Sequence, residues 1–325
     1  MNDLEAFKEV FAGIKPWSGF VPQGYIADFL GVLHAAEFVP LAFPDPASLG
    51  GKYQETALPT IGRVPNDAEG WCEAVDWLIS AREARDRYVM ISLGANYGAQ
   101  AVGACRALQT VNPLPYKLVA VDPVPQNIAW IRRHMATNGI DPDAQWIVPT
   151  AISDKVEPVL FPVSAGSGAN NCYSTNHPDS RRIYAKELIE RNLAAEAVEN
   201  VLLNNTIGLK TELIPGSGLW GELKFVSAIT LNELLGPLDT IDLLEADIQQ
   251  SEILVFPPFI DLLRRKVRRI HIGTHGEDVH AELHKLFADH GWRIVFSYKP
   301  FLRCESASGH FEIKDGILTV RNPDI

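Results

Sequence analysis

The segment 89–98 constrains the fold of this chain more than any other stretch of its sequence. A short apolar run ends in the turn Gly94-Ala-Asn-Tyr-Gly98, and small residues then predict a helix over 99–108. Glycine lets a backbone approach a ligand where a Cβ would collide, and the helix start offers unpaired N–H groups. The segment therefore predicts a parallel strand that ends at a nucleotide-like ligand.

A second apolar strand, predicted at 117–121, ends at Asp122. An acid at the end of the second strand of such a unit accepts hydrogen bonds from a ribose diol. The turn and the acid together indicate a nucleoside-containing ligand more strongly than the turn does alone. Asp122 also precedes a proline, so a plain helix N-cap is the alternative interpretation.

From about residue 87 onward, predicted strands and helices alternate, which is typical of an α/β protein with a mostly parallel sheet. A chain of 325 residues is long enough for one large α/β domain and an appendage. The strands are predicted at 88–93, 117–121, 145–148, 223–230, 240–246, 270–273, 292–298 and 316–320. The helices are predicted at 99–108, 125–137, 231–235, 258–268 and 279–290.

Residues 1–80 differ from the rest of the chain. Five prolines between 40 and 65 exclude a continuous helix or a central strand there. The pattern turns helical again from Asp67, and we predict a small N-terminal α+β cap over 1–80, followed by one domain over 81–325. A polar, glycine-rich insert at about 164–218 interrupts that domain, and it is predicted to be a lid or substrate loop, with a packing or disordered insert as the alternative.

Composition excludes several classes of partner. The net charge of −11 argues against a nucleic-acid partner, because phosphates demand a basic face. The basic run 264–269 is predicted to be a solvated helix face. No segment approaches the roughly 18 apolar residues of a membrane span, and four unpaired cysteines suit a reducing compartment. We therefore predict a cytoplasmic protein with no membrane span.

Polar residues follow several predicted strands, at the edge where ligands bind in open α/β sheets. Each alone has an ordinary explanation: Asn96 suits a left-handed turn, and His275 suits a buried loop. Their common position at strand ends indicates one site. The set consists of Asn96, Asp122, Ser153, Asp154, Asp247, Gln249, Glu252 and His275.

The chemistry predicted for this edge is general acid–base catalysis, with His275 taking a proton and Asp247 orienting it. Glu245, Asp247, Glu252 and His275 also suit a metal ion, but their spacing is not diagnostic, and we predict no metal. Four further histidines are predicted to lie on the surface, and Trp146 is predicted to pack in the core or against an adenine. Those histidines are His271, His280, His284 and His290.

Five motifs, in this order, resemble the FkbM-like branch of the class I S-adenosylmethionine-dependent methyltransferases. They are Leu93-Gly-Ala-Asn-Tyr-Gly98, Val121-Asp-Pro-Val-Pro-Gln-Asn127, Thr150-Ala-Ile-Ser-Asp154, Ile241-Asp-Leu-Leu-Glu-Ala-Asp-Ile-Gln-Gln-Ser-Glu252 and Ile272-Gly-Thr-His-Gly276. The resemblance covers about residues 85–300. It implies a Rossmann-like, doubly wound, mostly parallel seven-stranded sheet of the class I methyltransferase type.

The resemblance also implies S-adenosyl-L-methionine as cofactor and transfer of its methyl group to a hydroxyl. The acceptor class it implies is a sugar, glycan or secondary metabolite, and a homodimer is possible in such a family. Asp247, Gln249 and Glu252 would face the methyl-transfer end, with His275 opposite as the base. The cofactor-binding residues it implies are Gly94, Ala95, Asn96, Gly98, Asp122, Ile152, Ser153, Asp247 and Gln249.

Three residues depart from the family pattern. Ser92 stands where an acid is usual, Glu245 replaces a lysine and so would invert a charge beside the reaction centre, and Gln250 replaces a glycine. These departures keep a non-catalytic cofactor-binding module as an alternative. An NAD-dependent Rossmann oxidoreductase is the other alternative, although Asn96 occupies the place of its middle glycine.

Overall fold

The computed structural model describes residues 8–15, 17–38, 52–55, 68–163, 210–212, 220–306, 309–313 and 315–325. Its centre is a seven-stranded sheet of β1 (Tyr88–Leu93), β2 (Tyr116–Val121), β3 (Trp146–Val148), β4 (Leu243–Ala246), β5 (Arg269–Thr274), β6 (Arg293–Tyr298) and β7 (Gly316–Arg321). The strand order is β3-β2-β1-β4-β5-β7-β6. Only the pairings of β7 are antiparallel within this sheet.

The sheet is covered by helices on both faces, so the predicted doubly wound, mostly parallel sheet is confirmed. The helices are α1 (Ala68–Glu83), α2 (Ala99–Val111), α3 (Pro125–Thr137), α4 (Leu231–Leu235), α5 (Glu252–Val255), α6 (Ile260–Lys266) and α7 (Glu277–Asp289). Helices α1 to α3 pack on one face, and α4 to α7 pack on the other. The strand order and the reversed β7 are those of the Rossmann-like class I methyltransferase fold.

Burial explains why β1 reads as a continuous apolar run, since every one of its residues is buried. Tyr88 and Met90 face the core beneath α1 and α2, whereas Val89, Ile91 and Leu93 face the core beneath α4 to α7. A central parallel strand must be apolar on both sides. This strand therefore fixes the middle of the sheet, and its carboxyl end carries the glycine turn.

The remaining described strands lie outside the main sheet. The prediction of a main-sheet strand over 223–230 is wrong, because this segment divides between two small sheets. The first pairs Trp220–Val226 antiparallel with Val159–Val163 and Lys210–Glu212, and the second pairs Ala228–Ile229 parallel with Ala151–Ile152. Three further pairs are Ser18–Val21 with Lys52–Glu55, Tyr25–Ala27 with Leu33–Ala35, and Arg303–Ser306 with Gly309–Glu312.

The described N-terminal residues pack on the main domain through aromatic contacts. The rings of Phe11 and Phe29 are 5.8 Å apart, and Phe11 also lies 5.9 Å from the ring of Trp71 on α1. Helix α1 itself crosses the predicted domain boundary at residue 80, and the division into cap and main domain stays a prediction. Of the predicted insert 164–218, only Lys210–Glu212 lies among the described residues.

A buried ion-pair network ties α1 to the sheet. The carboxylate of Asp76 accepts hydrogen bonds from Arg269 Nη1 at 2.8 Å and Thr319 Oγ1 at 2.7 Å, and it contacts His271 Nδ1 at 2.8 Å. The prediction of a surface His271 is therefore wrong, and the solvated helix face predicted over 264–269 is wrong at Arg269. Helix α6 ends at Lys266, so Arg269 already belongs to β5 and points into the protein.

His280 is also buried, in contrast to the prediction for the surface. Its Nδ1 lies 2.9 Å from Thr274 Oγ1, and its Nε2 lies 3.0 Å from Ser297 Oγ. Helix α7 therefore turns this histidine toward β5 and β6. Among the described residues, no helix is both long and apolar enough to cross a membrane.

Candidate functional site

A cleft opens where the strand order reverses, at the carboxyl ends of β1, β2 and β4. Ligands bind at this position in open α/β sheets. The cavity volume of this cleft is about 50 Å³. Its lining residues are Gly94, Asn96, Val121, Asp122, Pro123, Asn127, Thr150, Ala151, Ile152, Phe161, Asp247, Ile248, Gln249 and Ser251.

The glycine turn is wedged between the ends of β2 and β4. The backbone N–H groups of Gly94 and Ala95 both donate to Val121 O at 3.0 Å. Gly94 has a φ of +76°, and a Cβ added there would lie 2.0 Å from the backbone oxygen of Asp247. Only glycine fits this position, because a side chain would be strained and would also collide with the end of β4.

Asp122 is a buried acceptor at the base of the cleft. Its Oδ1 accepts from Val124 N at 2.8 Å and Asn127 Nδ2 at 3.1 Å, and its Oδ2 accepts from Asn96 N at 2.9 Å. Helix α3 is capped at Val124, so Asp122 is not its N-cap. A carboxylate offers about four lone-pair sites, and these three bonds leave one of them on Oδ2. Burial raises the pKa of this carboxyl to about 6.

The other residues predicted to bind the cofactor divide into two groups. Ile152 lines the cleft together with Phe161. Ala95, Gly98 and Ser153 do not line it: Ala95 is buried behind the turn, and Gly98 caps α2 with a φ of +85°. The hydroxyl of Ser153 donates to Asp154 Oδ1 at 3.2 Å instead. These three residues therefore support the cleft without lining it.

The end of β4 brings Asp247, Gln249 and His275 together. Gln249 Nε2 lies 2.7 Å from His275 Nε2 and donates to Asp247 Oδ1 at 3.0 Å. The same His275 nitrogen lies 3.3 Å from Asp247 Oδ1. The Asp247 side chain is 44% exposed and that of His275 only 10%. Asp247 and Gln249 therefore line the cleft, and His275 stands directly behind them.

Two opposing effects act on the protonation of His275. Burial lowers its pKa, but the carboxylates of Asp247, Glu252 and Asp315 outweigh burial and raise the pKa above the ordinary value. Its Nδ1 is buried and makes no hydrogen bond with any described residue. The neighbouring carboxylates therefore stabilise the protonated form of the imidazole.

The turn after Asp247 is strained. Gln249 and Gln250 have φ values of +54° and +73°, consecutive left-handed conformations that side chains seldom adopt. The position where the family pattern has a glycine is thus left-handed here as well. Gln250 offsets part of the strain by donating from Nε2 to His275 O at 2.8 Å. Strain of this kind, at roughly 1–3 kcal/mol per residue, clusters at functional sites.

Two of the departures from the family pattern form one contact. Ser92 and Glu245 face each other in the parallel register of β1 and β4, and Ser92 Oγ donates to Glu245 Oε2 at 2.6 Å. Burial, followed by repulsion from Asp247, raises the pKa of Glu245 well above its usual range. The expected inverted charge does not face the cleft, because Glu245 is buried, bonded to Ser92 and outside the cleft lining.

Sequence reasoning also missed or misplaced several residues. Phe161, Thr150 and Ser251 line the cleft without having been predicted, although Thr150 and Ser251 lie inside family motifs. Trp146 begins β3 at the opposite edge of the sheet, where Lys117 Nζ lies 5.0 Å from its ring centroid, so it does not contact the cleft. No group of three or more His, Cys, Asp or Glu in the described part of the chain is arranged to hold a metal ion.

Comparison with known proteins gives one full-length relative. No family model matches the sequence. A protein of Jannaschia sp. (strain CCS1) described as "Putative methyltransferase" is 28% identical over 302 residues, which cover 92% of this chain and 93% of the relative.

Solved structures are similar only at a distance. The precorrin-6y C5,15-methyltransferase from Geobacter metallireducens GS-15 has a TM-score of 0.38 and 11% identity, over 77% of this chain and 86% of that chain. Methyltransferase FkbM from Methylobacillus flagellatus KT has a TM-score of 0.38 and 10% identity, over 72% of this chain and 44% of that chain. These scores are too low to carry an argument about function.

The strand order, the reversed β7 and the cleft at the switch point define the class, a Rossmann-like fold of the class I methyltransferase type. S-adenosylmethionine is the cofactor of this class, and the cleft fits that molecule in two respects. Asp122 keeps a lone pair for a ribose hydroxyl, and Ser251 Oγ is a buried hydroxyl in the lining with no hydrogen-bond partner among the described residues. A polar ligand satisfies both groups.

Proposed function

We propose that this chain is an S-adenosylmethionine-dependent O-methyltransferase of the FkbM-like branch, acting on a hydroxyl of a sugar, glycan or secondary metabolite. The observation that carries the proposal is the His275–Asp247 contact at 3.3 Å beside the cleft. Methylation of a neutral hydroxyl requires the loss of a proton, and an imidazole beside a carboxylate is suited to accept one.

The cofactor would be held by residues on three strand ends. Asp122 would accept hydrogen bonds from the ribose diol, and Gly94 and Asn96 would surround the methionine part. Ile152 and Phe161 supply apolar surface for the adenine. Ala95, Gly98 and Ser153 support this arrangement from behind the lining. When bound, S-adenosylmethionine supplies an electrophilic methyl group on its sulfonium.

The chain's own contribution is positioning and proton removal. Asp247 and Gln249 would orient the acceptor hydroxyl, because both line the cleft at the end of β4. His275 would take the hydroxyl proton at Nε2, the nitrogen that faces both residues. Positioning is worth up to about 7–11 kcal/mol in favourable cases, and a base contributes roughly 10²–10⁴-fold in rate.

Two features weigh against the alternative functions. A non-catalytic cofactor-binding module has no need of a buried imidazole held by three residues of one strained turn. An NAD-dependent oxidoreductase requires a middle glycine where this chain has Asn96, whose φ is +50° and whose backbone N–H is committed to Asp122. We therefore favour methyl transfer over both alternatives.

Calorimetric titration tests the choice of cofactor. We expect binding of S-adenosylmethionine and of its demethylated product, with no heat from NAD. Tight binding of NAD alone would overturn the methyltransferase proposal. The acceptor is then sought by incubating small-molecule extracts with labelled S-adenosylmethionine and following methylated products by mass spectrometry.

His275→Gln and Asp247→Asn test the residue roles with that product. We expect turnover to fall by roughly 10²–10⁴-fold in His275→Gln, with unchanged cofactor affinity. His284→Gln on α7 is the matched control, since His284 lies outside the cleft lining, and it retains full turnover. Unchanged turnover in both site variants would show that these residues do not act as base and orienting group.

A further inference from the structure

We propose that Glu252, a buried acid outside the cleft lining, is a positioning residue that fixes His275 and stabilises its protonated form. This inference rests on the proposed role of His275 as the base. The family resemblance implied that Glu252 faces the methyl-transfer end of the cleft, but Glu252 does not line the cleft. Glu252 is fully buried, so it would act on an acceptor only through His275. The contacts that connect the two residues are described below.

The first observation is that Glu252 closes the turn after β4. It is the first residue of α5, and its Oε1 accepts a hydrogen bond from the backbone N–H of Ile248 at 2.8 Å. The turn that this bond closes contains the two left-handed residues Gln249 and Gln250. The bond therefore helps to hold a backbone conformation that is unfavourable by itself.

The second observation is that this turn makes the contacts that hold His275. Gln249 Nε2 and Asp247 Oδ1 lie 2.7 Å and 3.3 Å from the imidazole Nε2. Gln250 Nε2 donates to the backbone oxygen of His275 at 2.8 Å. A change at Glu252 would therefore reach the imidazole through three separate contacts.

The third observation is that closing the turn does not require a charge. A neutral glutamine at position 252 would accept the same hydrogen bond from Ile248. The second carboxyl oxygen of Glu252 is buried and makes no hydrogen bond with any described residue. A buried acid with an unused oxygen is costly unless it has an electrostatic partner. We therefore assign the charge of this side chain to a second role.

The electrostatic partner is His275. Burial raises the pKa of Glu252 to about 7, although the nearby His275 opposes that rise. Glu252 in turn raises the pKa of His275, together with Asp247 on the same turn and Asp315 just before β7. The acid and the imidazole therefore influence each other's protonation, and we expect them to titrate as a coupled pair. When the Nε2 of His275 receives the proton released from the acceptor hydroxyl, the ionised Glu252 is the buried counter-charge of the imidazolium.

The substitution Glu252→Gln separates the two roles, because it keeps an acceptor for Ile248 N–H and removes the charge. The ring nitrogens of His275 are titrated by NMR, and their signals are assigned as those missing from the His275→Gln spectrum. We expect the pKa of His275 to fall by about one pH unit. The affinity for S-adenosylmethionine stays within about twofold. Glu282→Gln, an exposed acid-to-amide change on α7, leaves the titration unchanged.

The titration of the wild-type protein provides a second measurement if Glu252→Gln does not fold. Coupling to Glu252 predicts that the His275 titration curve has two steps, one of them near pH 7. An unchanged His275 pKa in the variant, or a single-step wild-type curve, would overturn the inference. Neither measurement needs an acceptor, so a failed coupling is distinguishable from a failure to find methyl transfer.

Discussion

At the scale of single residues, Gly94 is the position where the absence of a side chain matters most for the cleft. An alanine there would be left-handed, and its Cβ would also lie 2.0 Å from Asp247 O. The overpacking adds about 1–3 kcal/mol to the conformational cost. We expect Gly94→Ala to lower the free energy of unfolding in urea accordingly and to abolish binding of S-adenosylmethionine.

Gly139 provides the matched control for this prediction. Its φ is +74°, close to that of Gly94, but a Cβ there would meet nothing within 4 Å. Gly139→Ala therefore carries only the left-handed penalty of roughly 1–2 kcal/mol. Equal losses of stability in the two variants would contradict the close packing of the turn against β4.

Asp122 predicts how cofactor binding depends on pH. Its pKa is raised to about 6 by burial, and only the ionised carboxylate keeps a free lone pair for a ribose hydroxyl in addition to its three existing bonds. The affinity for S-adenosylmethionine should therefore rise with pH through about 6, by up to tenfold per pH unit below it. Titration calorimetry between pH 5 and 8 measures this slope, and Asp122→Asn flattens it.

The raised pKa of Asp122 makes folding stability depend on pH in the opposite direction to cofactor affinity. The folded state holds the proton of Asp122 more tightly than the unfolded state, so this group stabilises the fold at low pH. That contribution is lost as the pH rises from about 4 to 6. In the binding titration, a cofactor affinity that does not change between pH 5 and 8 would contradict the assignment of Asp122 to the ribose.

Sequence alone could identify many of the residues at the cleft, because strand ends can be read from local patterns. Asn96, Asp122 and Asp247 were found in this way. The roles of Ser92 and Glu245 could not be read, because their contact depends on the register between two strands more than 150 positions apart. Burial likewise decides which histidines are charged, and it is a property of the folded chain.

At the scale of elements, one buried carboxylate anchors helix α1 to the sheet. Asp76 contacts Arg269, His271 and Thr319, and each of the four side chains is almost fully buried. Removing one partner of a buried ion pair costs about 3–5 kcal/mol, because the remaining charge is left uncompensated. We expect Asp76→Ala to lower the free energy of unfolding by that amount in guanidinium chloride.

An exposed ion pair serves as the control for Asp76. Arg87 Nη2 lies 3.0 Å from Asp239, and both side chains are largely exposed to solvent. Such surface pairs contribute about 0–1 kcal/mol, so Asp239→Ala should be close to neutral. If the two aspartate variants were equally stable, the network beneath α1 would not anchor the helix.

Helix and strand predictions succeeded where the signals were local. The bounds of α3 agree with the prediction because Pro125 starts the helix and the Asn138-Gly139 pair stops it. The segment 223–230 was assigned to the wrong sheet because its apolar residues do not specify their partners. Strand pairing is a non-local property, and it places Trp220–Val226 beside Val159–Val163.

At the scale of the whole molecule, the net charge of −11 predicts the absence of nucleic-acid affinity. Binding to phosphates is driven by basic surfaces that release counterions. Several side chains of the basic run 264–269 are instead bonded within the protein. Lys266 donates to the backbone oxygens of Leu235 and Gly236 at 3.0 Å, and Arg268 pairs with Asp242 at 2.9 Å.

An electrophoretic mobility assay with single-stranded RNA and duplex DNA at 150 mM salt measures this prediction. We expect no shifted band at protein concentrations up to about 10⁻⁵ M, which lies within the usual range for non-specific binders. A shift with a steep salt dependence would contradict the prediction. It would also redirect the search for an acceptor from small molecules to nucleic acids.

The class of fold could be predicted from the alternation of strands and helices, but the last strand shows the limit of that signal. The segment 316–320 is predicted to be a strand, without a prediction of its neighbours in the sheet. In the structure β7 inserts between β5 and β6 and pairs antiparallel with both. Alternation along the chain gives the number of strands, whereas their lateral order depends on contacts between distant segments.

The position of β7 also has a consequence for synthesis on the ribosome. Among the described strands, β6 pairs with β7 alone, so it can join the sheet only once residues 316–321 have emerged. During that interval β5 presents an unpaired edge. We therefore expect β5 and β6 to complete their pairing after the parallel part of the sheet has formed.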